Sequence, residues 1–333
     1  APAGVAGAEN EFAALQPHTF RWRDAADNAA VATANVSVTP TLVRNGDWIT
    51  VTIAVSAPTA SDWAAAYVPA GIDITTTVPA KLTNLSTTAP GYLSTGTAVL
   101  RWRVVNMRAP LSVVVLTGGF VGAVALAASP PVAFVDYNAP LKPRVTPTGD
   151  PDSVVITWSS LNSSQPQVRW AATPGGPYTA VAASTNHVDR SALCGAPATT
   201  VGWFDLGAVN SATVTGLTPY ARSPVYYVYG DAATGSFAPE MTLWLPPLPG
   251  GGSTPTRLVV YGDMGRGTAD GAATWWDYGA PALNTTNTLL AYELAPMVAA
   301  GGANATTGVH AIVHFGDISY ATGACRVDTV SYT

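Results

Sequence analysis

Two short stretches with a period of two set the terms for the whole chain. Asp47 to Val55 (DWITVTIAV) sets apolar Trp48, Val51 and Ile53 against Thr50 and Thr52, and Val99 to Val105 (VLRWRVV) alternates around Arg101 and Arg103. A two-residue period sends successive side chains to opposite faces, so these segments are half-buried strands and not helices. The turn chemistry agrees, because 31 glycines and 27 prolines interrupt the chain too often for long helices and suit short strands joined by turns. The pattern runs from the start to about Pro140 and predicts a β-sandwich.

Two further units follow. The run Asn138-Ala139-Pro140-Leu141-Lys142-Pro143 reads as a stiff linker, and the next unit starts with Ser153 to Trp158 (SVVITW) as its first strand. It closes with Gly216-Leu217-Thr218-Pro219 and Val225 to Tyr229 (VYYVY). An early Trp and a late Tyr after an L-x-P turn are the marks of a fibronectin type III-like sandwich, with the Trp in the core and a Tyr hydroxyl tying down a turn. A second linker, Pro246 to Gly252 (PPLPGGG), ends this unit. Beyond it Arg257 to Tyr261 (RLVVY) is a buried strand, Gly262 to Gly267 a glycine-rich loop, Thr288 to Ala300 a helical stretch, and Val309 to Phe315 (VHAIVHF) a second buried strand. That order begins an α/β domain, whose parallel strands carry functional loops at their carboxyl ends. The expected domains are 1–140, 141–250 and 251–333, mostly β with an incomplete α/β third unit.

From Leu111 to Val135 no residue is charged, a run longer than the roughly 20 residues that span a bilayer. Gly118-Gly119 falls inside it and Ser129-Pro130-Pro131 near its end, so it reads as two buried strands, Ser112 to Thr117 and Val121 to Ala128, joined at a Gly-Gly turn. A membrane anchor is therefore not expected. Nucleic acid is excluded on charge, since a net −5 offers no basic surface to neutralise phosphates.

Charged residues make up only 11% of the chain, against roughly 25% in ordinary soluble domains. Five N-x-[ST] sequons occur, at Asn35, Asn84, Asn162, Asn284 and Asn304. Together these favour a secreted, extracellular glycoprotein of the cell wall or surface, carrying N-linked glycans. Cys194 and Cys325 are too few for a disulfide framework, and one bridge, two free thiols or a link to another chain all stay open.

The chemistry lies after the two buried strands. The first runs into Gly262-Asp263-Met264-Gly265 and the second into Gly316-Asp317-Ile318-Ser319-Tyr320. Two parallel strands of one sheet place Asp263 and Asp317 on the same edge, where neighbouring carboxylates repel unless a proton or a metal ion lies between them. Such oxygen donors suit Fe(III), Mn(II), Mg(II) or Zn(II), and the Tyr320 phenolate adds a strong donor for a ferric ion.

The order D-x-G then G-D-x-x-Y resembles the opening metal-binding motifs of the purple acid phosphatases, and YGDMGRG with HFGDISYATG resembles the long, plant-type branch of that family. Upstream stretches share the likeness: SDWAAAYVPA at Ser61 to Ala70, NMRAPLS at Asn106 to Ser112, NAPLKPRVT at Asn138 to Thr146, and LCGAPATTVGWFDLG at Leu193 to Gly207. The resemblance implies a dinuclear metallophosphoesterase holding Fe(III) and a divalent Zn, Mn or Fe ion. Asp263 would be a ferric ligand, Asp317 the bridging carboxylate and Tyr320 the coloured ferric phenolate. A metal-activated hydroxide would attack phosphate esters.

The family's later motifs, G-N-H-[DE], V-x-x-H and G-H-x-H, are absent. Only four histidines occur: His18 and His187 lie upstream of the α/β unit, and His310 and His314 sit in its second strand, where they read as packed residues. The catalytic residues proper are thus not assigned, and the chain alone is expected to hold no complete metal centre and to be inactive. Two readings stand: the N-terminal part of a secreted metallophosphoesterase, or a non-catalytic extracellular glycoprotein using phosphatase-derived sandwiches for homo-oligomeric assembly or adhesion.

Overall fold

The computed structural model describes residues 21–22, 32–119, 123–193, 199–200, 203–246, 248, 250, 258–262, 270, 272 and 311–315. The first sandwich has one sheet in the order β1 (Arg21–Trp22), β9 (Val124–Ala128), β8 (Ser112–Thr117), β5 (Trp63–Tyr67), β6 (Lys81–Asn84). The facing sheet is β2 (Ala34–Thr39), β4 (Trp48–Val55), β7 (Thr97–Arg103), and β3 (Leu42–Val43) pairs in parallel with β10 (Ala133–Phe134).

The two-residue period decides which side chains make the core. In the register of β4 and β7, Ile49 lies opposite Trp102, Val51 opposite Leu100 and Ile53 opposite Ala98, and all six are buried. Trp48 shares the parity of Thr50 and Thr52, so it faces outward with 41% of its surface exposed and Arg101 stacks over its ring at 5.1 Å. The expected grouping of Trp48 with Val51 and Ile53 is corrected by that parity, since Ile49 takes the inward place.

The charge-free run is a hairpin. β8 and β9 pair antiparallel, and Gly118 and Gly119 both have positive φ, 90° and 77°, a conformation only glycine adopts at little cost. The second strand starts at Val124, and the expected residues Val121 and Gly122 lie outside the described residues. Every side chain of Ser112–Leu116 and of β5 is buried because the sheet is covered on both faces. Ala64, Ala66, Val113 and Val115 face the sandwich core, whereas Trp63, Ala65, Tyr67, Val114 and Leu116 pack against Ile74, Val78 and Leu82. Double-sided burial is why this segment loses the polar alternation seen in β4. Among the described residues no helix is long and apolar enough to cross a membrane.

The second sandwich sets β11 (Leu141–Pro147), β12 (Val154–Ser160), β16 (Ala208–Val214), β15 (Ser184–His187) against β14 (Thr179–Ala182), β13 (Pro166–Ala171), β17 (Pro224–Asp231), β18 (Ser236–Phe237), with β19 (Met241–Trp244) also on β17. Its first strand is β11, which begins inside the expected linker Asn138–Pro143 and continues to Pro147, rather than Ser153 to Trp158. β11 lies at a sheet edge, the one place where Pro143 and Pro147 do not cost a ladder bond, and its register shifts between Leu141 and Arg144. Trp158 is buried against Tyr229, ring centroids 5.6 Å apart. The turn before β17 is tied by a carboxylate and not by a Tyr hydroxyl: Asp152 accepts from the amides of Gly216 at 2.9 Å and Thr218 at 2.8 Å. Hydrogen bonding from Thr218 first, and then Gly216, holds that carboxyl below the ordinary carboxylate range.

Two short helices escaped the sequence analysis, α1 (Leu85–Thr88) and α2 (Tyr92–Thr95). Asn84 caps α1 by accepting from the amide of Thr87 at 3.1 Å. In the third unit β20 (Leu258–Gly262) and β21 (Ala311–Phe315) pair in parallel. The expected helix Thr288 to Ala300 lies outside the described residues.

Candidate functional site

The pairing of β20 with β21 sets side by side the two strands that lead into the Gly-Asp motifs. The register runs from Leu258 opposite Ala311 to Gly262 opposite Phe315, so both strands end at one edge of the sheet. Asp263 is the next residue after Gly262, and Asp317 and Tyr320 follow shortly after Phe315. All three lie outside the described residues, as do Cys194, Cys325, His18 and His310. His314 stands opposite Tyr261 in the register, and His187 is an exposed residue of β15.

Asp263, Asp317 and Tyr320 supply three oxygen donors, which suit a hard cation but fall short of the roughly octahedral sets two such ions would require. Among the described residues no three His, Cys, Asp or Glu side chains gather where they could hold a metal. Counted from the sequence, three donors do not complete a dinuclear centre, and no catalytic step is routed through them.

What the structure builds in detail is the junction of the sandwiches, carried by the NMRAPLS segment. Asn106 folds the chain back: its Oδ1 accepts from the amide of Arg108 at 3.0 Å and its Nδ2 donates to the Asp136 carbonyl at 2.8 Å. Arg108 is thereby held at φ +68°. Its Nη1 donates to the carbonyls of Tyr137 at 3.1 Å and Ala139 at 2.6 Å, and its Nη2 to Ser159 O at 2.9 Å and Ser159 Oγ at 3.2 Å. One side chain thus joins the first sandwich, the connecting segment and β12. Burial pushes the guanidinium pKa down to about 10, with Asp136 opposing. Asp136 adds a second tie by accepting from Ser236 Oγ at 2.7 Å. Beside the junction lies a cleft of about 590 Å³ lined by Ile72, Met107, Arg108, Arg190, Trp203 and Phe204 among others.

Buried carboxylates elsewhere are structural. Asp62 is wholly buried and accepts from Thr59 N at 2.8 Å, Thr59 Oγ1 at 2.7 Å, Tyr92 Oη at 2.6 Å and Thr117 Oγ1 at 2.6 Å. For Asp231, burial alone would raise the pKa, but amides of Ser164, Gln165, Ala233 and Thr234 bring it below the ordinary range. Both are satisfied by donors within the fold. The sequence analysis quoted SDW and NMRAPLS without a role for Asp62 or Arg108. Their signal was a charged residue inside an otherwise apolar, β-rich stretch.

The sequon asparagines differ in setting. Asn35 on β2 and Asn162 are exposed. Asn84 is half-buried, and besides capping α1 it donates from Nδ2 to the Ala60 carbonyl at 3.0 Å. Asn284 and Asn304 lie outside the described residues.

Comparison with known proteins places residues 32–136 in the family described as the Fn3-like domain from purple acid phosphatase, and residues 140–243 in that of the purple acid phosphatase N-terminal domain. The chain is 29% identical over 298 residues to "Probable inactive purple acid phosphatase 27" of Arabidopsis thaliana, covering 84% of this chain and 46% of that protein. It is 29% identical over 313 residues to "Probable inactive purple acid phosphatase 1" of the same plant, covering 87% and 48%. The chain spans about half the length of the curated relatives it matches. Its fold matches a purple acid phosphatase isolated from yellow lupin (Lupinus luteus) seeds with a TM-score of 0.75 and 23% identity, over 90% of this chain and 62% of that one.

Proposed function

Residues 32–136 and 140–243 are the two N-terminal domains of the purple acid phosphatase family, and from that premise we propose that this chain is the N-terminal portion of a secreted dinuclear metallohydrolase acting on phosphate esters. Its two sandwiches form the scaffold, and its third unit contributes the first two strands and the first metal-binding motifs of the catalytic domain. The observation that carries this reading is the parallel pair β20–β21, whose carboxyl ends, Gly262 and Phe315, stand opposite each other where the two Gly-Asp motifs start in the sequence.

The surface of that pair supports it. Leu258, Val260 and Val313 share one face and are 52%, 56% and 44% exposed, an apolar face of the kind that a larger α/β sheet covers. Asp263, Asp317 and Tyr320 would hold metal only together with His and Asn donors from motifs that this chain lacks, and the metal pair would supply a hydroxide nucleophile and stabilise the leaving oxygen. The chain as given is then inactive. Sparse charge and the sequons support a secreted, glycosylated protein.

The names of the Arabidopsis relatives, which include the word inactive, favour a second reading. In it the protein is a non-catalytic extracellular glycoprotein whose sandwiches serve assembly. Hydrolysis of p-nitrophenyl phosphate separates the two. A form extended beyond Thr333 through G-N-H-[DE] and G-H-x-H motifs is active at acid pH under the first reading and loses activity with Asp317→Asn. Absence of turnover in the metal-loaded extended form selects the second.

A further inference from the structure

Among the described residues β7 is the last strand of its sheet, so its outer edge should present unpaired backbone groups. Val104 exchanges hydrogen bonds with Asp47 and Gly46 on the β4 side, which turns the amide and carbonyl of Arg103 the other way. Both groups are taken, by residues of two different units. Asp270 Oδ2 accepts from the Arg103 amide at 2.7 Å, and Lys81 Nζ donates to the Arg103 carbonyl at 2.7 Å. Lys81 and Asp270 are ion-paired to each other, with side chains only 10% and 0% exposed. Asp270 Oδ1 accepts from the amide of Ala272 at 3.1 Å, and Ala272 packs into the core cluster of the first sandwich. A carboxylate and an ammonium stand where the backbone of another strand would stand.

We propose that this edge of the first sandwich is a docking surface for Asp270 and Ala272 of the third unit, and that Asp270 is its latch. The third unit is thereby seated on the first sandwich without the second as intermediary. The chain joining β19 to β20 is rich in Pro and Gly, and the latch supplies a fixed point for the third unit. A buried ion pair suits this task because it tolerates misalignment poorly: displacing either partner leaves an uncompensated buried charge. Asp270 follows Asp263 by only a few residues in the sequence. It is a positioning residue, and the inference holds whether the protein is catalytic or not.

Amide hydrogen exchange on the 333-residue chain, without metal, tests it. Asp270→Ala should speed exchange at Arg103 by about tenfold or more while Val51 and Ile156 in the two cores keep their protection. Asp270→Asn retains an acceptor for that amide and should speed it less. Unchanged exchange at Arg103 in Asp270→Ala overturns the proposal. If that variant loses core protection too, the unsubstituted chain decides. The amides of Arg103 and Ala272 bond to the two oxygens of one carboxylate and must then open together, with protection within about threefold of each other as denaturant is raised. Free exchange at Ala272 with Arg103 still protected refutes the latch.

Discussion

Replacing Arg108 by methionine is the sharpest perturbation of the scaffold. Methionine keeps an apolar stem of similar reach and deletes four hydrogen bonds, which leaves the carbonyls of Tyr137, Ala139 and Ser159 without their guanidinium donor. Bonds from a charged donor are worth about 1.5–3 kcal/mol each and a typical one about 1 kcal/mol net, so the three carbonyls set a gross loss of about 3 kcal/mol at the lower value and about 4.5–9 kcal/mol at the charged one. Part is recovered, because a guanidinium whose pKa burial has pushed down to about 10 no longer has to be dehydrated. The net expectation is a loss of about 2 kcal/mol. A control comes from the backbone. At φ +68° any residue with a Cβ is strained by about 1–2 kcal/mol, so Arg108→Gly should be less destabilising than Arg108→Ala by about 1 kcal/mol. Urea unfolding monitored by hydrogen exchange in each sandwich reads both effects. The Met variant should also uncouple the sandwiches, whose exchange-competent openings then take separate denaturant dependences. A Met variant within about 0.5 kcal/mol of the parent, a size typical of a surface change, with the sandwiches still opening together, would refute the assignment of Arg108 as the tie.

Asp62→Asn places an amide nitrogen against hydroxyl and amide donors in a wholly buried site and should cost about 2–4 kcal/mol in urea unfolding; a loss below about 1 kcal/mol would mean the site rearranges. Burial raises the pKa of Tyr92, Tyr227 and Tyr229, with the Asp62 hydrogen bond adding to the effect at Tyr92. Their stabilising contribution is present in full below the unfolded value near 10.0 and is lost as pH rises above it, because only the unfolded state releases those protons there. Arg108 acts with the opposite sign from about pH 10 upward, but one group opposes three. The urea midpoint should fall from about pH 9 to 11, and a flat profile would contradict the burial of these phenols. Peptide mass mapping of protein from its native source should find glycans at the exposed Asn35 and Asn162, with Asn84 less occupied because its side chain serves α1 and Ala60; unmodified Asn35 and Asn162 would sink the secretory proposal.

The parts of the fold that were legible in the sequence are those where one physical signal dominates. Alternation in Thr97–Arg103, the apolar runs of β20 and β21, and the Gly-Gly turn after β8 each have a local cause. Trp48 was misplaced because a bulky apolar residue at the wrong parity looks like core until the register is counted. β11 was taken for linker because its prolines hide a strand, and only the partner β12 shows that it lies at an edge. Asp270 carries no local signal whatever, since its meaning comes from Lys81 and Arg103, far away in sequence. At the candidate metal site the sequence points to the parallel pairing of β20 with β21, which the structure has, while Asp263, Asp317 and Tyr320 lie outside the described residues.

Iron content is the measurement closest to the central claim, that this chain is a scaffold presenting the first part of a metal centre that other residues complete. The purified 333-residue chain should be colourless and hold far less than one iron per molecule. A form extended through the His- and Asn-bearing motifs should hold two metal ions and show a visible phenolate-to-iron absorption that disappears with Tyr320→Phe. Stoichiometric iron in the 333-residue chain, with the same absorption and the same loss on Tyr320→Phe, would contradict the account, because these residues would then complete the site by themselves.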